Sequence, residues 1–215
     1  MSSLTRKYIM GLTGIFLITF LVVHCGVNAL VFLNDGGKSF LVAAHFMGTN
    51  PLIRVVEIGL VAGFLIHIVD GYLLLLKNKS ARPVGYASSN ASANSTWYSR
   101  SMGILGTLLL FFLIIHTSDF WIPNRNSQFT TGEELNLFKL MQLEFQELPV
   151  VIIYLLGCFS LFWHLLHGFK SAFQSLGINH PKYNGLIALS GTLFSIIVPI
   201  IFSLMPIGFY LGWVK

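Results

Sequence analysis

Histidine is the residue type whose placement in this 215-residue sequence most suggests chemistry. Two of the seven histidines, His45 and His180, fall in connections, and five lie inside long apolar stretches: His24, His67, His116, His164 and His167. An ionisable side chain is costly in an apolar membrane interior, and it is kept there for a partner or a function. One such histidine is explained equally well by packing against a carbonyl of a neighbouring helix. Here four successive apolar stretches each carry at least one histidine, which indicates that these histidines bind a ligand together.

Haem is the ligand that this pattern favours. Two imidazoles on opposite sides of a flat apolar macrocycle hold the iron, and a helix bundle supplies the rest of the site. A zinc site would need three or four ligands at one depth, with cysteines or carboxylates among them. A proton relay would need interspersed acids. Cys25 and Cys158 lie at apolar positions and form neither a disulfide framework nor a covalent haem motif.

The apolar stretches that position these histidines are long enough to cross a membrane. The mean hydropathy is +0.74, and charged residues make up 10% of the chain, against about 25% in soluble domains. Five stretches reach the roughly 20 residues that span the hydrocarbon: segments 1 to 5, at 8–33, 52–76, 102–122, 149–169 and 184–210. Their apolar residues run continuously, which is typical of helices and not of barrel strands. We predict an all-α integral membrane protein, with residues 1–215 forming one five-helix bundle that encloses two haems.

The basic residues predict the orientation of the bundle. Eight of the thirteen lie before segment 1 or in the second and fourth connections: Arg6, Lys7, Lys77, Lys79, Arg82, Arg100, Lys170 and Lys182. Cytoplasmic connections attract Lys and Arg, which explains the sequence pI of about 9.3 better than nucleic-acid binding does. We therefore expect a cytoplasmic N-terminus, an external C-terminus and a retained first helix.

Depth divides four of the histidines into two levels. At about 1.5 Å per helical residue, His67 lies roughly 15 Å from Lys77, and His164 lies roughly 9 Å from Lys170. The same rise places His24 roughly 27 Å from Arg6 and His116 roughly 24 Å from Arg100. We predict an inner level in segments 2 and 4 and an outer level in segments 1 and 3, separated by about 10–15 Å.

Two connections have a distinct composition. Residues 131–147 place apolar side chains near helical spacing after a threonine cap, which predicts an external amphipathic helix. Residues 80–99 are rich in Ser, Asn and Ala, which predicts irregular structure that lies against a partner.

Four stretches resemble the cytochrome b membrane-anchor subunit of succinate dehydrogenase/fumarate reductase (complex II), in its single-chain, five-helix, two-haem form of the Bacteroidetes type. They are "GLTGIFLITFLVVH" (11–24), "LIHIVDGYLLLLKNKSARP" (65–83), "MGILGTLLLFFLIIH" (102–116) and "HLLHGFKSAFQSLGINHPKY" (164–183). The resemblance implies His67 and His164 as ligands of an inner haem b, and His24 and His116 as ligands of an outer one. Periodicity does not separate His164 from His167, and the family's His-x-x-x-Gly pattern favours His164.

The resemblance also implies the protein's partners and its location in the cell. The chain would anchor a flavoprotein and an iron–sulfur subunit at the cytoplasmic face of a bacterial inner membrane. It would pass electrons to menaquinone or another quinone, in the respiratory chain and the tricarboxylic acid cycle, while succinate reacts on the flavoprotein. Membrane lipids are partners, nucleic acid is not, and a higher oligomer of the complex is allowed. Phe162 stands where some members have a proton-carrying glutamate, which argues against that proton route.

Haem propionates or quinone have several candidate contacts: His167, Lys170, Ser171, Gln174, Asp70, Arg54 and Glu57. Asp70 follows His67 by one turn, where it would orient an imidazole or lie at the headgroup level. Arg54 and Glu57 would form an interfacial ion pair, or Glu57 would accept a proton from quinol. Two other functions stay open: a di-haem cytochrome b of a hydrogenase or formate dehydrogenase, and a His-gated proton or metal transporter.

Overall fold

The computed structural model describes residues 2–80 and 96–215, which form helices and their connections. The helices are α1 Ser3–Ala29, α2 Lys38–Thr49, α3 Pro51–Ser80, α4 Trp97–Arg100, α5 Met102–His116, α6 Ile122–Thr130, α7 Leu137–Glu144, α8 Leu148–Ser175 and α9 Pro181–Tyr210. A 3₁₀ turn, Leu30–Leu33, continues α1, and a π-helical turn, Thr117–Trp121, joins α5 to α6.

All five predicted apolar segments are confirmed as helices long and apolar enough to cross a membrane. They are Leu4–Leu33, Pro51–Asn78, Met102–Thr130, Leu148–Ser175 and Pro181–Tyr210, named here spans 1 to 5. Each helix is longer than the segment read from the sequence. Hydropathy marks only the apolar part of a span, whereas the backbone hydrogen bonds continue through the polar residues at its ends.

Span 4 lies at the centre of the bundle and packs against spans 1, 3 and 5. Its Ser160 is fully buried and donates a hydrogen bond to the Leu105 carbonyl of span 3, 2.9 Å away. Its Phe169 packs against Gly191 of span 5, where an added Cβ would lie 2.7 Å from the ring. Span 2 is peripheral, with its main contact on span 1 and a smaller one on span 3. Span 4 is therefore the helix on which spans 1, 3 and 5 are assembled.

The amphipathic segment forms a shorter helix than the sequence predicts. Helix α7 begins at Leu137, and its cap is Asn136, whose side chain accepts a hydrogen bond from the Lys139 amide. The predicted cap, Thr131, instead ends α6. The apolar face of α7 packs on the end of the bundle that carries the C-terminus, where Phe138 and Met141 are buried. The predicted start was wrong because Asn136, nearer the apolar residues, provides the side-chain cap.

Two other features were not anticipated from the sequence. Helix α2 lies between spans 1 and 2, after the positive-φ residues Gly36 and Gly37. The π-helical turn lies directly after His116 in span 3. Most of the predicted irregular loop, residues 81–95, lies outside the described residues; its last part forms α4, with Thr96 as the cap.

Candidate functional site: two facing histidine pairs

The inner pair consists of His67 in span 2 and His164 in span 4. Their ring centres lie 6.3 Å apart, with an angle of 64° between the ring planes. Both rings are only partly covered by protein. Within the described residues, spans 2 and 4 are not among the closely packed helix pairs, so the two imidazoles meet across an interhelical gap.

The outer pair consists of His24 in span 1 and His116 in span 3. Their ring centres lie 5.8 Å apart, and the ring planes are at 85°. Phe20 stacks on His24, and Phe112 stacks on His116. Spans 1 and 3 are also absent from the closely packed pairs in the described part of the chain. Each pair therefore joins two helices that do not otherwise support each other.

These separations suit two imidazoles that share one metal ion. Ligand nitrogens about 2 Å from a metal on opposite sides place the two ring centres about 6 Å apart. The rings' uncovered surface and their apolar neighbours agree with a flat apolar macrocycle around the metal. The donor set therefore fits bis-histidine haem.

The two pairs lie at different heights in the bundle. His67 contacts Thr13 of span 1, and His24 follows Thr13 by eleven residues on the same helix, which is about 16 Å at 1.5 Å per residue. His164 lies 3.9 Å from a Cβ placed on Gly106 of span 3, and His116 follows Gly106 by ten residues, or about 15 Å. Both helices therefore give the same spacing.

The four imidazole rings differ in the hydrogen-bond partner of Nδ1. Thr13 Oγ1 lies 3.0 Å from Nδ1 of His67. The Asn28 amide nitrogen, which only donates, lies 3.3 Å from Nδ1 of His24. Nδ1 of His116 and Nδ1 of His164 are buried and have no hydrogen-bond partner within the described residues.

No family model, curated protein or solved structure matches this chain. Any account of its function therefore depends on the residues themselves and on the geometry above.

The sequence left two roles open for Asp70, orienting an imidazole or lying at the headgroup level, and the structure shows an ion pair with Arg6. It is only 6% exposed, and its Oδ1 accepts a hydrogen bond from Nη1 of Arg6, 3.3 Å away. Its other oxygen, Oδ2, is buried without a partner among the described residues. The hydrogen-bond partner of His67 is Thr13, and sequence reasoning missed it because threonine is common in membrane helices.

The predicted Arg54–Glu57 ion pair is confirmed at 3.1 Å and belongs to a larger cluster. Glu57 also binds Arg125 at 2.6 Å and accepts a hydrogen bond from the indole of Trp121 at 2.6 Å. Gln128 accepts hydrogen bonds from both arginines. Glu57 thus has two guanidinium partners. Sequence reasoning missed this cluster because Arg125 is far along the chain from Glu57.

A buried tyrosine connects the outer pair to an acid. Tyr154 of span 4 packs against His116, with ring centres 5.9 Å apart. Its hydroxyl donates a hydrogen bond to Oδ2 of Asp119 in the π-helical turn, 2.8 Å away. Burial raises the pKa of the nearby Glu144 carboxyl, and the Asp119 charge adds to the rise. The partner of Asp119 is visible only in the fold.

Of the four candidate polar residues of span 4, two line a cavity and two, Ser171 and His167, are not among its lining residues. Lys170 and Gln174 line a cavity between spans 4 and 5, together with Asn179 and Asn184. Ser171 lies about 100° around the helix from Lys170. His167 is half-buried one turn after His164. The ring that faces His67 belongs to His164.

Proposed function

We propose that this protein is the membrane-anchor and electron-transfer subunit of a succinate:quinone oxidoreductase, with two bis-histidine b haems. His67 and His164 would hold the inner haem, and His24 and His116 the outer one. The observation that supports this most is the presence of two separate histidine pairs, each with the ring separation that a shared iron requires, about 15 Å apart in height.

Each haem would supply a one-electron redox couple inside the bilayer. The chain's own part is to ligate, orient and shield these centres. The imidazoles would provide the ligand nitrogens, and the aromatic rings around the outer pair would exclude water. Spans 1, 3 and 4 keep the two sites at separate heights, so electrons would cross part of the membrane between them.

The rest of the proposal follows from charge and resemblance. The basic N-terminal end would face the cytoplasm of a bacterium and bind the flavoprotein and iron–sulfur subunits there. The quinone, menaquinone by resemblance, would bind beside one of the haems. Lys170 and Gln174 line a small depression between spans 4 and 5, and by resemblance they would be inner contacts for quinone or a haem propionate. Arg54 and Glu57 belong to the opposite end.

The test is haem content and optical spectra of the purified full-length chain. Wild type should bind two haems and show reduced b-type bands. Each of His24→Ala, His67→Ala, His116→Ala and His164→Ala should lose one haem, and the two members of a pair should lose the same spectral component.

The matched control is His167→Ala, which should keep both haems because the ring of His164 is the one that faces His67. A colourless wild-type preparation would refute the proposal and favour a transporter. Co-purification with hydrogenase or formate dehydrogenase subunits would assign the haems to another complex.

A further inference from the structure

Among the four paired histidines, His67 is the one whose Nδ1 lies against an oxygen atom, since Nδ1 of His24 lies against the amide nitrogen of Asn28. Thr13 Oγ1 donates its single hydrogen to the Ile9 carbonyl at 2.8 Å and shares it with the Met10 carbonyl at 3.2 Å. It therefore faces His67 as an acceptor only, so Nδ1 of His67 must carry the hydrogen of their 3.0 Å bond. Nε2 of His67 is then left with a free lone pair, which is the form that binds a metal.

The opposite ring of the same pair has no such support. Nδ1 of His164 is buried without a partner in the described part of the chain. The two sides of the inner site are therefore unequal: one imidazole is held by a hydroxyl group, and the other is held by packing alone.

We infer that Thr13 is a positioning residue of the inner haem site, which fixes the tautomer and orientation of His67 and makes it the more electron-donating of the two axial ligands. This inference rests on the proposed function. An acceptor behind a metal-bound imidazole raises the basicity of the ligand. Increased basicity stabilises the ferric iron and lowers the midpoint potential of the inner haem.

Span 1 provides a matched control for this residue. Thr19 has the same back-bond as Thr13, from Oγ1 to the carbonyl four residues earlier, here Ile15 at 3.0 Å, and it is exposed. Thr13→Val removes the hydroxyl and keeps the branched shape, Thr13→Ser keeps the hydroxyl, and Thr19→Val repeats the first change away from the histidines.

The experiment is a spectroscopic redox titration of the full-length haem-loaded chain. We expect Thr13→Val to shift the equilibrium of the inner haem threefold towards the reduced form. This corresponds to a midpoint potential raised by about 28 mV for one electron. The same variant should bind the inner haem about tenfold more weakly, as for other outer-shell partners. Thr13→Ser and Thr19→Val should behave like wild type, and no variant should move the outer haem.

Unchanged inner potential and affinity in Thr13→Val, with two haems bound, would overturn this inference and leave the proposed function intact. Equal losses in Thr13→Ser and Thr13→Val would also overturn it, because the hydroxyl would then not be the responsible group. Wild-type chain without haem would refute the proposed function, and this inference with it.

Discussion

The hydrogen bond between Tyr154 and Asp119 should be one of the stronger single interactions between spans 3 and 4. The bond measures 2.8 Å, and Tyr154 is 6% exposed. Hydrogen bonds to charged groups contribute about 1.5–3 kcal/mol, whereas measured couplings inside a membrane protein average about 0.6 kcal/mol and reach about 1.7. We expect a coupling energy of about 1.5 kcal/mol, because the acceptor is a carboxylate.

The measurement is a double-mutant cycle on the free energy of unfolding in detergent, with Tyr154→Phe, Asp119→Ala and the double variant. The reference is a neutral pair of similar length: the Tyr72 hydroxyl of span 2 lies 2.7 Å from Thr107 Oγ1 of span 3. Its cycle, with Tyr72→Phe and Thr107→Val, should give about 0.6 kcal/mol.

A Tyr154–Asp119 coupling no larger than that of the neutral pair would refute the reasoning, since Asp119 would then not act as a charged acceptor. Haem content must be followed in parallel, because Tyr154 also packs against His116. Tyr154→Phe should retain the outer haem, since it preserves the ring.

Two further variants test the packing and the charge cluster. Glu57→Gln should lower the free energy of unfolding by about 1–2 kcal/mol, because Arg54 and Arg125 lose their shared carboxylate; if quinone turnover is unchanged with both haems present, Glu57 is not a proton acceptor for quinol. Gly191→Ala should lower the free energy of unfolding by about 1–3 kcal/mol, because its Cβ would lie 2.7 Å from the Phe169 ring. The control is Gly185→Ala, whose Cβ would meet nothing within 4 Å. Equal stability of the two variants would contradict this account.

The sequence was sufficient for the five spans and for the pairing of the histidines. Continuous apolar runs have few structural alternatives, and counting residues from the basic ends ranks the histidines by depth. The rings of the predicted pairs, His67 with His164 and His24 with His116, lie edge-on to each other, with their centres 6.3 and 5.8 Å apart. The expected separation in height also agrees with the structure.

The supporting residues were beyond sequence reasoning because they depend on rotation about helix axes. Nothing in the pattern of span 1 distinguishes Thr13 from Thr19, yet one contacts an imidazole and the other does not. Asp70 lies one turn from His67, but Arg6 on another helix is its partner. Nor does periodicity reveal the π-helical turn that carries Asp119, because a single widened turn leaves the apolar pattern almost unchanged.

The central position of span 4 has a consequence for synthesis of the chain. Both outer-pair histidines have been made once the third span is complete, but in the described part of the chain the helices that carry them are not closely packed on each other. The helix that contacts both is the fourth, which also brings His164 to His67. Both sites should therefore form at the same stage, after the fourth span has been made. A chain cut short before Leu148 would lack both, although three of the four paired histidines precede that point.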